Sequence, residues 1–198
     1  MKKKLLKTTL IGEKVSLEPL EKVHKTTLVG AASDGALWKL WMTSVPSSDT
    51  IDAYLKKALG DYEDGTALPF VVKLKTTNEI IGSTRYCNVE MAHKRLEIGY
   101  TWYAKSHQRT GVNTECKYLL LRHAFEQLQC IAVEFRTHWY NTASRNAIAR
   151  LGAKQDGVLR NHRLDAEGNI RDTVVFSIIQ EEWGTVKKHL EYQMQRYE

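Results

Sequence analysis

The spacing of apolar residues divides the chain into segments of two kinds. Alternation of apolar and polar residues, or enrichment in β-branched residues, predicts strands over residues 15–20, 68–75, 79–89, 94–103, 131–138, 158–164 and 170–179. Apolar residues that recur every three or four positions predict helices over residues 21–32, 50–62, 111–129, 141–151 and 181–192, with a short helical turn over 36–43. The element order is therefore β-α-α-β-β-β-α-β-α-β-β plus a C-terminal helix.

The lengths of the connections predict how the strands pair. The turns that join the strands between residues 68 and 103 are too short for crossovers, so these strands form an antiparallel meander. The strand–helix–strand unit that follows places the strand at 131–138 parallel to the strand at 94–103. We expect an α/β (α+β) fold, with a mixed, mostly antiparallel sheet of about seven strands and helices on both faces. The chain divides into a basic tail (1–12), one domain (13–180) and a C-terminal helix (181–198).

Composition narrows the class of protein. The chain has 198 residues, of which 42% are hydrophobic and 26% are charged, as in an ordinary globular domain. No run approaches the roughly 18 apolar residues that a membrane span needs, and no apolar segment follows the basic N-terminus as in a secretion signal. The three cysteines form no CxxC pair, which favours free thiols in the cytoplasm. The histidines show no metal-ligand spacing, so we expect no metal.

The net charge of +6 is concentrated at the N-terminus. Lys2, Lys3, Lys4 and Lys7 contribute four of these charges. A basic tail of this kind is either a solvated end or a contact for the ribosome or for nucleic acid. The rest of the chain shows no basic stripe with interleaved aromatic residues, so we expect no specific nucleic-acid partner and no membrane partner.

A polar, glycine-containing turn opens the predicted helix at 111–129. The turn comprises Gln108, Arg109, Thr110, Gly111, Val112, Asn113 and Thr114. The free N–H groups and the positive dipole end of a helix start attract a phosphate. A second helix start, with Asn141 and Ser144, supplies polar groups to the same end of the sheet. Together the two helix starts indicate a pyrophosphate-bearing cofactor laid along a strand edge, and hence an enzyme of group transfer.

Three motifs in this order resemble the GNAT superfamily of acetyl-CoA-dependent N-acetyltransferases, and within it the RimJ/RimL-like branch. The turn matches the pattern Gln/Arg-x-x-Gly-x-Gly/Ala except that Asn113 replaces the small residue. Leu96-Glu97-Ile98-Gly99-Tyr100 resembles the central strand, and Asn141-x-x-Ser144 with Leu151-Gly152 resembles the second signature. Ile148 stands where many members carry a tyrosine as acid for the thiolate.

The resemblance implies acetyl transfer from acetyl-CoA to a primary amine by direct attack in a ternary complex, without a metal. Backbone N–H groups of residues 109–114 would hold the pyrophosphate, with Arg109 adding positive charge. A backbone N–H near Tyr103 would polarise the acetyl carbonyl. Asn141 would bind the pantetheine or cap its own helix, and Ser144 would donate to the departing sulfur or serve as an ordinary helix-start serine.

The acceptor side is less constrained by the sequence. Glu97 is the candidate base, because burial raises the pKa of a carboxyl group; the alternatives are an exposed glutamate or an ion pair with Arg85 or Arg95. Trp38 and Trp41 either wall the acceptor groove or belong to the core. The acceptor is the α-amine of a protein, with a ribosomal protein as one option, or a small amine. A catalytically silent module that binds CoA or acyl-CoA, and a homodimer, stay open as alternatives.

Overall fold

The computed structural model describes residues 4–165 and 167–196. Its strands are β1 (Leu10–Ile11), β2 (Val15–Pro19), β3 (Leu68–Leu74), β4 (Ile80–Glu90), β5 (Arg95–Tyr103), β6 (Ala132–His138), β7 (Lys154–Leu164) and β8 (Ile170–Ile179). Its helices are α1 (Lys25–Ser33), α2 (Ile51–Glu63), α3 (Val112–Arg122), α4 (Thr142–Arg150) and α5 (Gln180–Gln195). None of the helices within these ranges is long and apolar enough to cross a membrane.

The strands form one sheet in the order β1-β2-β3-β4-β5-β6-β8-β7. All neighbours are antiparallel except β5 and β6, which are parallel as the sequence predicts. The mixed, mostly antiparallel sheet is therefore confirmed. The described part has eight strands rather than seven, because Leu10 and Ile11 pair with β2. The sequence places these two residues in the basic tail, because a strand of two residues is too short to show an alternating pattern. Leu5 is also buried in the core.

Alternation along the strands separates two faces of the sheet. Phe70 and Val72 of β3 pack in one core with residues of α3, α4 and α5, while Val71 packs in a second core with residues of α1 and α2. We call these two sides the α3 face and the α1–α2 face. Each large apolar side chain buried in this way contributes about 1.5–3 kcal/mol to folding.

Helix α3 buries more of its surface than the apolar stripe predicts. The stripe residues Cys116, Leu119 and Leu120 are buried. Glu115, expected on the solvent face, is also buried, and its carboxylate accepts hydrogen bonds from the backbone N–H groups of Glu13 and Lys14. The turn between β1 and β2 is thereby fixed against the start of α3.

The parallel strands β5 and β6 pair over only three positions. The register runs from Arg95 opposite Ala132 to Glu97 opposite Glu134, although β5 continues to Tyr103 and β6 to His138. A bulge accompanies the separation: Tyr100 has a φ of 52°, and the β4–β5 register shifts beside it. Beyond Glu97 the β5 edge that faces β6 therefore has no strand partner among the described residues.

Candidate active site

The turn before α3 leaves a row of backbone N–H groups without acceptors. Arg109 and Gly111 have φ values of 63° and 85°, and α3 begins at Val112. Among the described residues, no atom accepts a hydrogen bond from the N–H groups of residues 109–114. Left-handed residues at a helix start turn successive N–H groups toward one point, which creates a concave anion site. The geometry fits a phosphate or pyrophosphate group.

The side chains of this turn bond to the protein instead of pointing at a ligand. Gln108 Nε2 donates to the Tyr103 carbonyl at 3.0 Å, and Thr110 Oγ1 donates to the His107 carbonyl at 2.7 Å. Tyr103 Oη donates to Asn113 Oδ1 at 3.1 Å. These side chains therefore shape the turn, and the backbone N–H groups, to which the sequence assigns the pyrophosphate, are left unbonded among the described residues. The Arg109 side chain is exposed.

Helix α4 begins beside the gap between β5 and β6. The Asn141 side-chain oxygen accepts a hydrogen bond from the Ser144 N–H at 3.0 Å, so Asn141 is the N-cap. The amide nitrogen of Asn141 and the half-buried hydroxyl of Ser144 have no partner within the described residues. The two groups that the chemistry needs are thus available. Ile148 is buried in the core and supplies no acid.

Glu97 lies on the α1–α2 face, because its neighbours Leu96 and Ile98 pack on the α3 face. It is 8% exposed, and burial raises the pKa of its carboxyl group against the opposing effects of Asn88 and Arg136. Asn88 Nδ2 donates to its Oε2 at 2.6 Å, and Arg136 Nε lies 3.7 Å from the same oxygen. The exposed alternative is wrong.

The ion-pair alternative holds with a different partner: Glu97 pairs with Arg136, whereas the two predicted partners are engaged elsewhere. Arg95 bonds to Glu134 at 2.5 Å, and Arg85 lies 3.8 Å from Asp61. Gly99 leaves room for the buried carboxylate of Glu97. A Cβ atom at position 99 would lie 3.1 Å from the Glu97 Oε1 atom, which is a tight contact.

Neither Trp38 nor Trp41 is a core residue, since their exposed fractions are 38% and 61%. Trp41 packs edge-on against His138, with ring centroids 4.8 Å apart, and also contacts Tyr140. His138 is the last residue of β6 and faces the same side as Glu97. Trp41 therefore stands beside the mouth of the gap between β5 and β6. Trp38 forms no ring pair with any described residue.

Sequence reasoning missed two buried cations beside the site. Arg85 is 1% exposed and stacks on Tyr100, with its guanidinium carbon 4.0 Å from the ring centroid. Lys117 of α3 donates to Thr101 Oγ1 at 2.5 Å, and burial lowers the pKa of Lys117 to about 8. The helical spacing of Asn113, Lys117 and Leu120 would have placed Lys117 on the buried side of α3. Among the described residues, no group of His, Cys, Asp and Glu side chains is arranged to hold a metal ion.

Comparison with known proteins agrees with this geometry. The profile of the Acetyltransferase (GNAT) domain matches residues 14–154. The uncharacterized N-acetyltransferase p20 of Bacillus licheniformis is 27% identical over 177 residues, which cover 88% of this chain and 98% of that protein. A solved GCN5-related N-acetyltransferase from Brucella melitensis is 26% identical with a TM-score of 0.87, covering 97% of this chain and 87% of that chain.

The fold is also that of a solved RimJ structure. RimJ of Mycobacterium smegmatis, in complex with CoA-disulfide, superposes with a TM-score of 0.75 at 23% identity, covering 90% of this chain and 88% of that chain. At this identity the likeness concerns the fold. With the domain match over residues 14–154, the chain belongs to the GNAT family and is an acetyl-CoA-dependent N-acetyltransferase.

Proposed function

We propose that this enzyme transfers the acetyl group of acetyl-CoA to a primary amine by direct attack, with Glu97 as the base. The observation that carries the proposal is the row of unbonded N–H groups at residues 109–114, followed by the unpaired edge of β5. The row fits a pyrophosphate and the edge fits an extended amide chain. Both lead to the gap beside the buried carboxyl group of Glu97.

In this proposal the protein holds the donor through three groups of atoms. The N–H groups of residues 109–114 bind the pyrophosphate, and Arg109 adds a positive charge. The β5 edge beyond Glu97 hydrogen-bonds the amides of the pantetheine arm in the manner of an added strand. The free amide nitrogen of Asn141 binds a pantetheine carbonyl while its oxygen caps α4.

The reaction then needs three groups: a proton acceptor, a hydrogen-bond donor to the acetyl carbonyl oxygen and a hydrogen-bond donor to the sulfur. Glu97 takes the proton of the ammonium, directly or through a water, and the amine attacks the acetyl carbon. A backbone N–H near Tyr103 stabilises the oxyanion. The C–S bond of this tetrahedral intermediate then breaks, and the Ser144 hydroxyl stabilises the departing thiolate. The second proton of the attacking nitrogen passes to the sulfur, so CoA leaves as the thiol. The products are an amide and CoA.

A covalent acetyl-enzyme is not part of the proposal. Cys87 is the cysteine beside Glu97, and its thiol donates to the Glu97 carbonyl at 3.7 Å. Burial raises the pKa of Cys87 well above its usual value, with the negative charge of Glu97 acting in the same direction. A buried, protonated thiol is a poor nucleophile, so direct attack by the amine is the simpler path.

The basic tail gives little support to a ribosomal acceptor. Lys4 forms an ion pair with Glu63, and Lys7 lies 3.5 Å from Glu21. Two of the four tail lysines are therefore engaged within the domain. A protein α-amine and a small amine remain the two acceptor classes, and the cytoplasmic location and the homodimer remain predictions from the sequence.

The proposal is tested by a screen of amines for acetyl-CoA-dependent release of a thiol, with mass spectrometry of the acetylated product. We expect turnover with at least one class of primary amine and its loss in the Glu97→Gln variant. The silent-module alternative predicts saturable binding of CoA with no transfer to any amine of the panel. Glu90→Gln is the matched control, because Glu90 is an exposed glutamate of the neighbouring strand β4.

A further inference from the structure

Five buried polar side-chain atoms have no hydrogen-bond partner among the described residues. They are Nε and Nη1 of Arg85, Nδ1 of His162, Nε of Arg171 and Oγ1 of Thr173. Buried polar atoms are nearly always bonded, and each that is not costs about 1–3 kcal/mol. Three of the five belong to the β7–β8 hairpin. Such a cluster indicates a site completed by a ligand.

Strand register places this cluster beside the gap between β5 and β6. Thr173 lies opposite His138 in the β6–β8 ladder. Val174 packs on the α3 face, so Thr173 and Arg171 lie on the α1–α2 face, where Glu97 also lies. Arg171 also interacts electrostatically with Tyr100, the bulge residue of β5, across the gap. The cluster therefore lies on the acceptor side of the gap.

The guanidinium of Arg171 forms no ion pair with any described residue, although the negative charge of Asp165 acts on it from a distance. The acidic side chains of the hairpin are exposed or engaged elsewhere. Glu167 is exposed, and Asp156 accepts from the Ser177 hydroxyl. Asp165 accepts from the backbone N–H groups of Glu167 and Asn169, and Asp172 bonds to Arg160 and to the Asn161 N–H. Burial, together with the nearby positive charge of Arg163, lowers the pKa of Arg171.

The donors of the cluster match a carboxylate. Arg171 presents a planar fork of N–H groups that bonds both oxygens of a carboxylate. Thr173 adds a hydroxyl that is 2% exposed, and His162 adds a ring nitrogen. Burial, with the charges of Arg163, Arg136 and Arg171, lowers the pKa of His162, so its ring is neutral at pH 7. Arg171 is the charged member of the cluster and its two other groups are neutral, so the cluster suits a ligand group that carries a negative charge.

We infer that the acceptor amine carries a carboxylate, which binds Arg171, Thr173 and His162. The inference rests on the proposed function, because it assigns the substrate class of the same site. An amino acid or a closely related amino acid derivative has this chemistry. An amine without a negative charge leaves the donors of the cluster unpaired and binds more weakly.

Binding of matched product analogues tests the subsite without turnover. CoA-loaded protein is titrated with a set of N-acetyl-α-amino acids and with their C-terminal amides, while the imidazole resonances of His138 and His162 are followed by NMR. We expect at least one acid to bind about ten- to a hundredfold more tightly than its amide. Arg171→Gln should abolish this preference. Arg160→Gln is the control, because Arg160 is an exposed arginine of the same hairpin that pairs with Asp172.

A second variant keeps the subsite testable if Arg171→Gln does not fold. Thr173→Val removes an unbonded hydroxyl without changing the side-chain shape, so its melting temperature should not fall while the preference for the acid falls severalfold. Equal affinity of acids and amides, or an undiminished preference in Arg171→Gln, would overturn the subsite. Initial rates with free amino acids and their amides then distinguish failure of the carboxylate subsite from failure of the proposed acetyl transfer. Equal rates for both overturn only the subsite, whereas selective binding of the acids without transfer overturns only the proposed function.

Discussion

The hydroxyl of Tyr103 donates to Oδ1 of Asn113 at 3.1 Å, and this bond joins the end of the central strand to the start of α3. Asn113 occupies a position where the family motif has a small residue. Its side chain turns back toward the strand, so the backbone of the anion site is left clear. The bond also gives the buried hydroxyl of Tyr103 a partner. The departure from the motif is thus compatible with the anion site that we propose.

Removal of this bond should weaken binding of the donor. In Tyr103→Phe the Asn113 side chain loses its donor, and the turn before α3 loses an anchor. We expect the affinity for CoA to fall severalfold and the free energy of unfolding to fall by about 1 kcal/mol. Titration calorimetry and chemical denaturation measure the two effects. Tyr192→Phe, which alters an exposed tyrosine of α5, serves as the control. Unchanged affinity in Tyr103→Phe would show that the turn holds its shape without the bond.

Substitution of Glu97 should change the pH dependence of turnover. Burial raises the pKa of Glu97, so the base takes up a proton and loses activity as the pH falls through this raised value. In Glu97→Gln we expect kcat/KM to fall by about a hundredfold and its acidic limb to flatten. The pH profile of kcat/KM measures both. An acidic limb that survives in the variant would remove Glu97 as the base.

Variants at the start of α4 should distinguish a capping role from a catalytic role. Asn141→Ala should lower the free energy of unfolding by about 1 kcal/mol through loss of the cap, and should also lower turnover. Asn141→Ser keeps a capping oxygen, so we expect near-normal stability with lowered turnover. Ser144→Ala should lower turnover with little effect on stability, because its hydroxyl forms no internal bond. Normal turnover in Asn141→Ser would limit Asn141 to a capping role.

Because of Lys117, the free energy of unfolding of the enzyme should change with pH in the alkaline range. Burial lowers the pKa of Lys117 from 10.5 in the unfolded chain to about 8 in the folded protein. The unfolded state therefore binds more protons between these values, so stability rises with pH from about 8 to 10.5. The gain is up to about 3 kcal/mol. Chemical denaturation over this pH range should show the rise in the wild type and not in Lys117→Met. Parallel profiles would contradict a lowered pKa for Lys117 in the folded protein.

The sequence predicts those parts of the fold that periodicity and motif spacing control. The turn before α3, the helix start at Asn141 and the parallel pairing of β5 with β6 follow from such patterns. Strand β7 begins at Lys154 instead of residue 158, because a register shift beside Gly157 breaks the alternation that marks a strand.

Buried charges escape sequence reasoning for a different physical reason. Periodicity assigns charged residues to solvent, whereas Glu115, Lys117 and Arg85 are all buried. Their partners are remote in sequence: Glu115 bonds to the turn at Glu13, and Lys117 bonds to Thr101. Only the folded arrangement brings these groups together. Such contacts arise from topology, which a single sequence does not display.

The most direct test of the account is calorimetric titration with acetyl-CoA and with CoA. Gly111→Val forces a branched residue into a left-handed conformation within the anion site, since Gly111 has a φ of 85°. Gly168→Val is matched to it, because Gly168 has a φ of 87° in the β7–β8 turn, and a Cβ there meets no atom within 4 Å. We predict micromolar binding of both ligands to the wild type and to Gly168→Val, with binding at least about tenfold weaker in Gly111→Val. Absence of binding to the wild type, or undiminished binding to Gly111→Val, would contradict the assignment of residues 109–114 as the site that holds the donor.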